Sequence, residues 1–268
     1  MSRLQRTAWR NRYGPWAIVT GASRGIGHAL ALDLASRGLN VILAARDDTE
    51  LNELATVIHE RHQVDVDVVI EDLATDAGTD ALISAADCRD VGLFVGNAGI
   101  GSSGPFADSD INNELTMIDL NVRSLARQTF YFANRFRRRG SGGLILLSSI
   151  VCWQGVPRAT NYAATKAYVQ SFAEGLSREL RKDGVDVLAS APAPVDTAFL
   201  ARADMRANGV SPTVVARNTL NALGRKTTVY PHIKSRFLSA ALALLPRFAR
   251  VRVLETVMQG MTAHQQNT

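Results

Sequence analysis

Short apolar runs alternate with longer amphipathic stretches from Trp16 onward, and this alternation restricts the chain to few folds. It is the pattern of β-α-β units on a parallel sheet. The runs are apolar at nearly every residue, as expected for strands that helices cover on both faces. The prediction is an α/β fold with a doubly wound, mainly parallel, seven-stranded sheet. The predicted strands are 16–20, 41–45, 64–70, 92–95, 144–148, 185–189 and 228–230.

No repeat or linker divides the sequence, so residues 1–268 are predicted to form one domain. Residues 1–15 form an N-terminal extension, whose arginines resemble a transit peptide but which we interpret as a short helical flap. Residues 197–227 are predicted to be a substrate-side insert over the mouth of the site. Residues 235–263 are predicted to be a C-terminal helical segment that breaks at Pro246. The helices predicted between the strands are 25–37, 49–62, 78–86, 112–138 and 161–182.

Composition excludes several classes of protein. Apolar residues make up 46% of the chain and charged residues 21%, which is ordinary globular composition. Cys88 and Cys152 are too few for a disulfide framework, and we expect buried thiols in a reducing, cytoplasmic setting. The histidines have no metal-binding spacing, so no metal site is predicted. The net charge of +5 is spread along helical stretches, so we expect no nucleic-acid partner. No segment is long and apolar enough to span a bilayer, and the N-terminus lacks the apolar core of a secretory signal.

A glycine-rich loop joins the first predicted strand to the first helix after it, with the spacing G-x-x-x-G-x-G. Glycines let backbone N–H groups approach a pyrophosphate, and the helix N-terminus adds partial positive charge. A tight structural turn is the alternative. The position between a strand and a helix favours dinucleotide binding, which indicates a Rossmann-type fold. The candidate binding residues are Gly21, Ser23, Arg24, Gly25, Ile26 and Gly27.

The end of the second predicted strand indicates which dinucleotide binds. An acidic residue there would hydrogen-bond the ribose of NAD, whereas an arginine accommodates the 2′-phosphate of NADP. In this chain Arg46 directly follows that strand, and the first acidic residue after the strand is Asp47. Arg24 in the loop can share the same phosphate through forked hydrogen bonds. The alternative is that both arginines are surface side chains, but we predict NADP(H).

Tyr162 and Lys166 have the spacing Y-x-x-x-K, which places both side chains on one face of a predicted helix. A neighbouring ammonium stabilises a phenolate and is expected to lower the tyrosine pKa towards the working range. Ser149 lies thirteen positions earlier, at the end of an apolar strand, where its hydroxyl can donate to a developing oxyanion. Ser148 competes for this role, and the spacing favours Ser149. A surface Tyr/Lys pair is the structural alternative.

Together these residues resemble the short-chain dehydrogenase/reductase family in its single-domain branch. The resemblance covers about residues 16–197. It depends on Thr20–Gly27, Asp72, Asn97-Ala98-Gly99, Asn121, Ser149, Tyr162 and Lys166. The C-terminal stretch is similar to that of ketoacyl reductases and 17β-hydroxysteroid dehydrogenases.

The resemblance implies roles for further residues. Asp72 and Leu73 would contact the adenine, with Asn97, Ala98 and Gly99 steadying the central strand beside it. Asn121 would bend its helix and hold a water that relays protons through Lys166, which would also bind the nicotinamide ribose. Val195 and Thr197 would meet the carboxamide. One departure is Pro192-Ala193, where the family usually has Pro-Gly, and an alanine would be strained if that position required a positive φ.

The predicted function is reduction of a ketone by NADPH, with Ser149 polarising the oxygen and Tyr162 donating the proton. An inactive NADP-binding regulator on the same fold is the alternative, and enoyl reduction does not fit the Tyr/Lys spacing. A small apolar carbonyl or alcohol substrate is expected, in a homodimer or homotetramer. The C-terminal segment can cover the pocket, form an oligomer contact or lie on an anionic membrane, and we favour the first two. The expected cleft residues are Ile100, Val151, Trp153, Val156, Phe199 and Leu200.

Overall fold

Seven parallel strands form one sheet in the computed structural model, which describes residues 3–267. They are β1 (Trp16–Thr20), β2 (Asn40–Ala45), β3 (Val66–Ile70), β4 (Val91–Gly96), β5 (Gly142–Leu147), β6 (Val185–Ser190) and β7 (Thr228–Val229). Their order is β3-β2-β1-β4-β5-β6-β7, and every pairing is parallel. The order reverses between β1 and β4, which opens a crevice at the carboxyl ends of the strands. The predicted α/β, Rossmann-type, doubly wound sheet is confirmed.

Helices cover both faces of the sheet. They are α1 (Arg3–Tyr13), α2 (Gly25–Ser36), α3 (Asp48–His62), α4 (Asp76–Asp87), α5 (Ile111–Ile118), α6 (Leu125–Arg139), α7 (Thr160–Glu179), α8 (Ala198–Arg202), α9 (Pro212–Ala222), α10 (Ile233–Ala243) and α11 (Arg247–Met261). A π-helical stretch, Asp119–Ser124, joins α5 to α6, so the predicted helix 112–138 is continuous but locally widened. None of the helices within residues 3–267 is long and apolar enough to cross a membrane.

Two apolar layers sandwich the sheet. Ala17 and Val19 of β1 point into one layer with α2, α3 and α9, while Trp16 and Ile18 point into the other with α4, α6 and α7. This alternation follows from the two-residue period of a strand. Every residue of β1 is buried, which explains its uninterrupted apolar sequence.

The segments outside the strand–helix alternation are docked onto this core. Within the N-terminal extension, α1 is fixed by Tyr13, whose hydroxyl donates to the Asp186 carboxylate at 2.6 Å. Within residues 197–227, only α8 and its flanks reach the cleft, whereas α9 packs against α2. A third apolar cluster joins α10 and α11 to the start of α7 through Leu242, Leu254 and Met258.

Candidate active site

A cleft of about 670 Å³ opens at the carboxyl ends of β1, β4, β5 and β6. Of the predicted site residues, five do not line it. Gly27 and Asn121 lie behind its wall, and Arg46, Asp72 and Leu73 follow β2 and β3 outside it. The cleft brings together the other predicted residues: Gly21, Ser23, Arg24, Gly25, Ile26, Asn97, Ala98, Gly99, Ser149, Tyr162, Lys166, Val195 and Thr197.

The loop between β1 and α2 has the geometry of a phosphate cradle. Gly25 has φ +62°, and a Cβ there would lie 2.8 Å from the Thr197 methyl. Gly27 lies so close to the Gly21 carbonyl that a Cβ would clash with it. No side chain caps the N-terminus of α2, and no acidic residue stands in its first turn. The N–H groups of that turn therefore fit a dinucleotide pyrophosphate.

Asn97 fixes this loop to β4. Its amide donates to the Thr20 carbonyl at 2.9 Å and to the Gly21 carbonyl at 3.2 Å. The Thr20 hydroxyl in turn accepts from the backbone N–H groups of Asn97 and Ala98, each at 3.0 Å. These bonds hold the first turn of the cradle rigidly against the neighbouring strand.

Arg24 and Arg46 flank the end of β2, where the sequence places the 2′-phosphate of NADP. Arg24 pairs with Asp47 at 2.8 Å and with Glu50 at 3.1 Å, and Arg46 pairs with Asp72 at 3.6 Å. All of these side chains are substantially exposed, so the ion pairs are weak and can exchange for a phosphate partner.

Lys166 is buried at the centre of the site, where its ammonium donates to the Leu147 carbonyl at 2.8 Å. Its Nζ lies 5.8 Å from the centre of the Tyr162 ring. Burial lowers the pKa of Lys166 to about 8. Burial also raises the pKa of Tyr162 to about 12, with the Ser149 hydroxyl acting in the opposite direction. The expectation of a lowered Tyr162 pKa is therefore wrong, because desolvation of the phenolate is the largest effect on it.

Two serines follow β5, and their hydrogen bonds differ. The Ser148 hydroxyl donates to the Lys166 carbonyl at 3.0 Å, which holds α7 against the sheet. The Ser149 hydroxyl accepts a long bond, 3.4 Å, from the Val151 N–H and also hydrogen-bonds the Tyr162 side chain, so it lies on the cleft side next to the tyrosine. The structure also ends β5 at Leu147, one residue before the predicted end. This arrangement favours Ser149, as the spacing does.

Asn121 lies in the π-helical stretch and is buried. Its Oδ1 accepts from the Ile100 N–H at 3.0 Å, and its amide donates to the Ile100 carbonyl at 2.8 Å and to Thr165 Oγ1 at 3.1 Å. A Cβ on Gly99 would lie 3.0 Å from Asn121 Oδ1 and 3.4 Å from Lys166 Nζ, so these two groups face the same small space.

Apolar side chains form the far wall of the cleft. The Phe199 ring lies 5.5 Å from the Tyr162 ring, and Leu238, Leu254 and Met258 close the wall from the C-terminal helices. Ile100, Val151, Val156, Phe199 and Leu200 line the cleft as expected. Trp153 does not line the cleft; it is the last residue of the 3₁₀ turn Ile150–Trp153, and its indole N–H is buried.

The loop after β6 accommodates Ala193 without strain. Ala193 is buried and is not among the non-glycine residues of positive φ in the described chain, which are Gln63, Arg158 and Asp204. The expected strain is therefore absent. Val195, further along, forms an isolated parallel bridge with Val210, and Thr197 Oγ1 accepts from the Phe199 N–H at 3.3 Å as the N-cap of α8.

Sequence reasoning missed Glu114, a buried carboxylate in the first turn of α5. Its Oε1 accepts from the Ser102 hydroxyl at 2.7 Å, and its Oε2 accepts from the Asn161 amide at 2.7 Å. An acidic residue in the first turn of a helix is usually interpreted as an exposed side chain that interacts favourably with the positive end of the helix dipole. The sequence signal therefore pointed away from a buried position.

This doubly wound fold, with a dinucleotide cradle beside a Ser/Tyr/Lys group, is that of a nicotinamide-dependent oxidoreductase. The model of the short chain dehydrogenase family matches residues 15–208, so the chain belongs to that family. Family members act on CH–OH and C=O groups.

Several relatives are similar over most of the chain. 7beta-hydroxysteroid dehydrogenase of Clostridium sardiniense is 32% identical over 225 residues, which cover 82% of this chain and 86% of the relative. Human very-long-chain 3-oxoacyl-CoA reductase is 26% identical over 255 residues, 94% and 82% of the two chains. Human inactive hydroxysteroid dehydrogenase-like protein 1 is 30% identical over 240 residues, 85% and 72% of the two chains. A solved short-chain dehydrogenase from Sphingobium yanoikuyae in complex with NADPH has a TM-score of 0.79, 29% identity, and coverage of 86% and 93%.

Proposed function

We propose that the protein is an NADP(H)-dependent carbonyl reductase that interconverts an apolar ketone and a secondary alcohol. The observation that carries this proposal is the meeting of Ser149, Tyr162 and Lys166 in an apolar cleft beside the phosphate cradle. A donor, an acid and a buried ammonium at one point are what carbonyl reduction requires from the protein.

The cradle residues Gly21 to Gly27 would hold the pyrophosphate, and Arg24 and Arg46 the 2′-phosphate. Asp72 and Leu73 would contact the adenine, Lys166 the nicotinamide ribose, and Val195 and Thr197 the carboxamide. The nicotinamide supplies the hydride, so the protein provides position and electrostatics. The NADPH complex of the Sphingobium relative supports this choice of cofactor.

The protein's own residues handle the oxygen of the substrate. Ser149 donates its hydroxyl hydrogen to the carbonyl oxygen as negative charge develops. Tyr162, whose pKa of about 12 keeps it protonated at neutral pH, donates the proton. Lys166 is largely charged at pH 7 and stabilises the phenolate that remains. A neutral phenol is the form that donates the proton in reduction, and the reductive direction itself follows from the proposed NADP(H) cofactor.

The cleft supports a large apolar substrate. Its volume of about 670 Å³ is shared with the proposed cofactor, and its far wall consists of aliphatic and aromatic side chains, which suit a steroid or fatty-acyl group. Two relatives support this choice, because one is named as a hydroxysteroid dehydrogenase and the other as a very-long-chain 3-oxoacyl-CoA reductase. The proposed substrate is therefore a steroid-type ketone or a 3-oxoacyl thioester.

An inactive NADP-binding regulator is the second candidate, and similarity to an inactive hydroxysteroid dehydrogenase-like protein favours it. Against it, Ser149, Tyr162 and Lys166 line one cleft, and Asn121 lies behind its wall, an arrangement that binding alone does not require. We further propose that the reductase forms a homodimer or homotetramer. The exposed aromatic side chains of Phe130 on α6 and Tyr168 on α7 support this association. A cytoplasmic setting is supported by two free thiols, of which Cys152 is buried as expected, whereas Cys88 is exposed.

The test is a screen of the purified protein with steroid ketones, 3-oxoacyl thioesters and small ketones, each with NADPH and with NADH. Consumption of the reduced cofactor and formation of the alcohol are both measured. We expect turnover of at least one bulky apolar ketone with NADPH. Tight NADPH binding without turnover of any ketone, or of the matching alcohols with NADP⁺, would favour the regulator instead.

A further inference from the structure

Glu114 lies close to the segments that carry and contact Tyr162, but it does not line the cleft. Its side chain is 3% exposed, and none of the ion pairs formed by the described side chains involves it. Two hydrogen-bond donors compensate for the burial of its polar carboxyl oxygens in the first turn of α5. A carboxylate buried at such cost is expected to have a function that an apolar residue could not replace.

Both donors belong to segments that touch Tyr162. Asn161 directly precedes Tyr162 in α7, and its amide also donates to the Glu114 carbonyl at 3.0 Å. Ser102 follows Gly101, where a Cβ would lie 3.2 Å from Tyr162 Cδ2. The carboxylate therefore connects the backbone that carries the tyrosine to the loop that packs against its ring.

We propose that Glu114 is a positioning residue that fixes the Tyr162 hydroxyl for proton transfer by bridging Asn161 and Ser102. The inference rests on the proposed carbonyl reductase function, because it assigns Tyr162 as the proton donor. Proton transfer requires heavy atoms within hydrogen-bond reach, and a displacement of about 1 Å can lower the rate about 100-fold. Without the bridge, α7 and the loop after β4 would be free to shift relative to each other.

Two substitutions separate position from charge. Glu114→Ala removes both hydrogen bonds. Glu114→Gln keeps them, because its amide oxygen can accept from Asn161 while its amide nitrogen donates to the Ser102 hydroxyl oxygen. We expect kcat to fall about 10- to 100-fold in Glu114→Ala and to stay within about threefold of wild type in Glu114→Gln. The dissociation constant of NADPH should change less than about twofold in both variants, since Glu114, Asn161 and Ser102 all lie outside the phosphate cradle.

A second readout does not depend on turnover. Tyrosines labelled with ¹³C at Cζ give one NMR signal each, and Tyr162→Phe identifies the signal of Tyr162. That signal should move in ligand-free Glu114→Ala and keep its wild-type position in Glu114→Gln. Glu53→Ala, an exposed glutamate of α3, is the matched control and should change neither kcat nor the spectrum. A larger solvent deuterium isotope effect on kcat in Glu114→Ala would locate the loss at proton transfer.

The outcomes are separable from those of the proposed function. A wild type without ketone turnover overturns the reductase proposal, and the NMR comparison still tests the bridge. A folded Glu114→Ala with an unmoved Tyr162 signal, or with kcat within twofold of wild type, overturns the inference. So does a Glu114→Gln that is as damaged as Glu114→Ala. If Glu114→Ala does not fold, Asn161→Ala and Ser102→Ala each remove one half of the bridge and should reproduce part of the loss.

Discussion

The two serines after β5 give a matched pair of variants. Ser149→Ala removes one of the two hydroxyl donors to the substrate oxygen, and we expect kcat to fall about 10²- to 10³-fold. Ser148→Ala removes the bond to the Lys166 carbonyl and should cost about 1 kcal/mol of stability, with kcat little changed. Steady-state kinetics and urea unfolding of both variants check this. If Ser148→Ala were the more damaging to kcat, the assignment would be one residue off.

Tyr162→Phe should abolish turnover and leave the dissociation constant of NADPH nearly unchanged. The ring keeps its packing against Phe199, and only the transferable proton is lost. Tyr168→Phe, an exposed tyrosine on the same helix, is the control and should behave as wild type. A Tyr162→Phe rate within tenfold of wild type would contradict the mechanism.

Lys166 predicts how stability depends on pH. Its pKa falls to about 8 in the folded protein from 10.5, so between these values the unfolded state binds more protons. The free energy of unfolding therefore rises with pH across this window, by at most about 1.4 kcal/mol per pH unit. The cost of burying the ammonium is fully present below pH 8 and is relieved as the group deprotonates. Lys166→Met should lack this rise, as denaturant unfolding from pH 7 to about pH 10 can measure. Parallel curves for the two proteins would contradict the lowered pKa.

At the scale of elements, the strands and main helices could be predicted because burial on both faces leaves a direct mark on the sequence. The 16–20 prediction matches β1, and 25–37 differs from α2 by one residue at its end. The π-helical widening at Asp119–Ser124 left no mark in the hydrophobic pattern, and only the family resemblance, which implied a bend at Asn121, pointed to it.

The candidate site was predictable where residue type alone limits the chemistry. The glycines of the cradle, Tyr162 and Lys166 belong to this class. Trp153 and the pKa of Tyr162 were predicted wrongly, since both depend on which side chains surround a residue in three dimensions. The Glu114 bridge escaped detection for the same reason, since its partners lie twelve and 47 positions away.

We expect the end of β2 and the loop between β1 and α2 to determine the cofactor preference. Arg46→Ala should weaken NADPH binding far more than NADH binding, because the guanidinium would face only the 2′-phosphate. Ala45→Asp should shift the preference towards NADH by charge repulsion. Fluorescence titrations of both reduced cofactors check these variants, with the distant Arg178→Ala as control. Equal weakening of both cofactors in Arg46→Ala would show that Arg46 does not recognise the phosphate.

At the scale of the whole molecule, α10 and α11 have two faces with different expected functions. Leu254 and Met258 are buried in the cleft wall, whereas Phe237, Leu244 and Phe248 are exposed. The inward face fits the predicted role of covering the pocket, and the outward face is free for an oligomer contact or a membrane surface.

Paired substitutions on the two faces distinguish these roles. Met258→Ala should raise the KM for a bulky ketone about tenfold and leave a small ketone unaffected, because about 1 to 2 kcal/mol of apolar contact with the larger substrate is lost. Phe237→Ser with Phe248→Ser should leave both KM values unchanged and reduce the oligomer's mass in light scattering. Co-sedimentation with anionic vesicles is measured on the same proteins. If the double variant keeps its mass but no longer sediments with vesicles that bind the wild type, the outward face is a membrane contact, and the oligomer forms elsewhere.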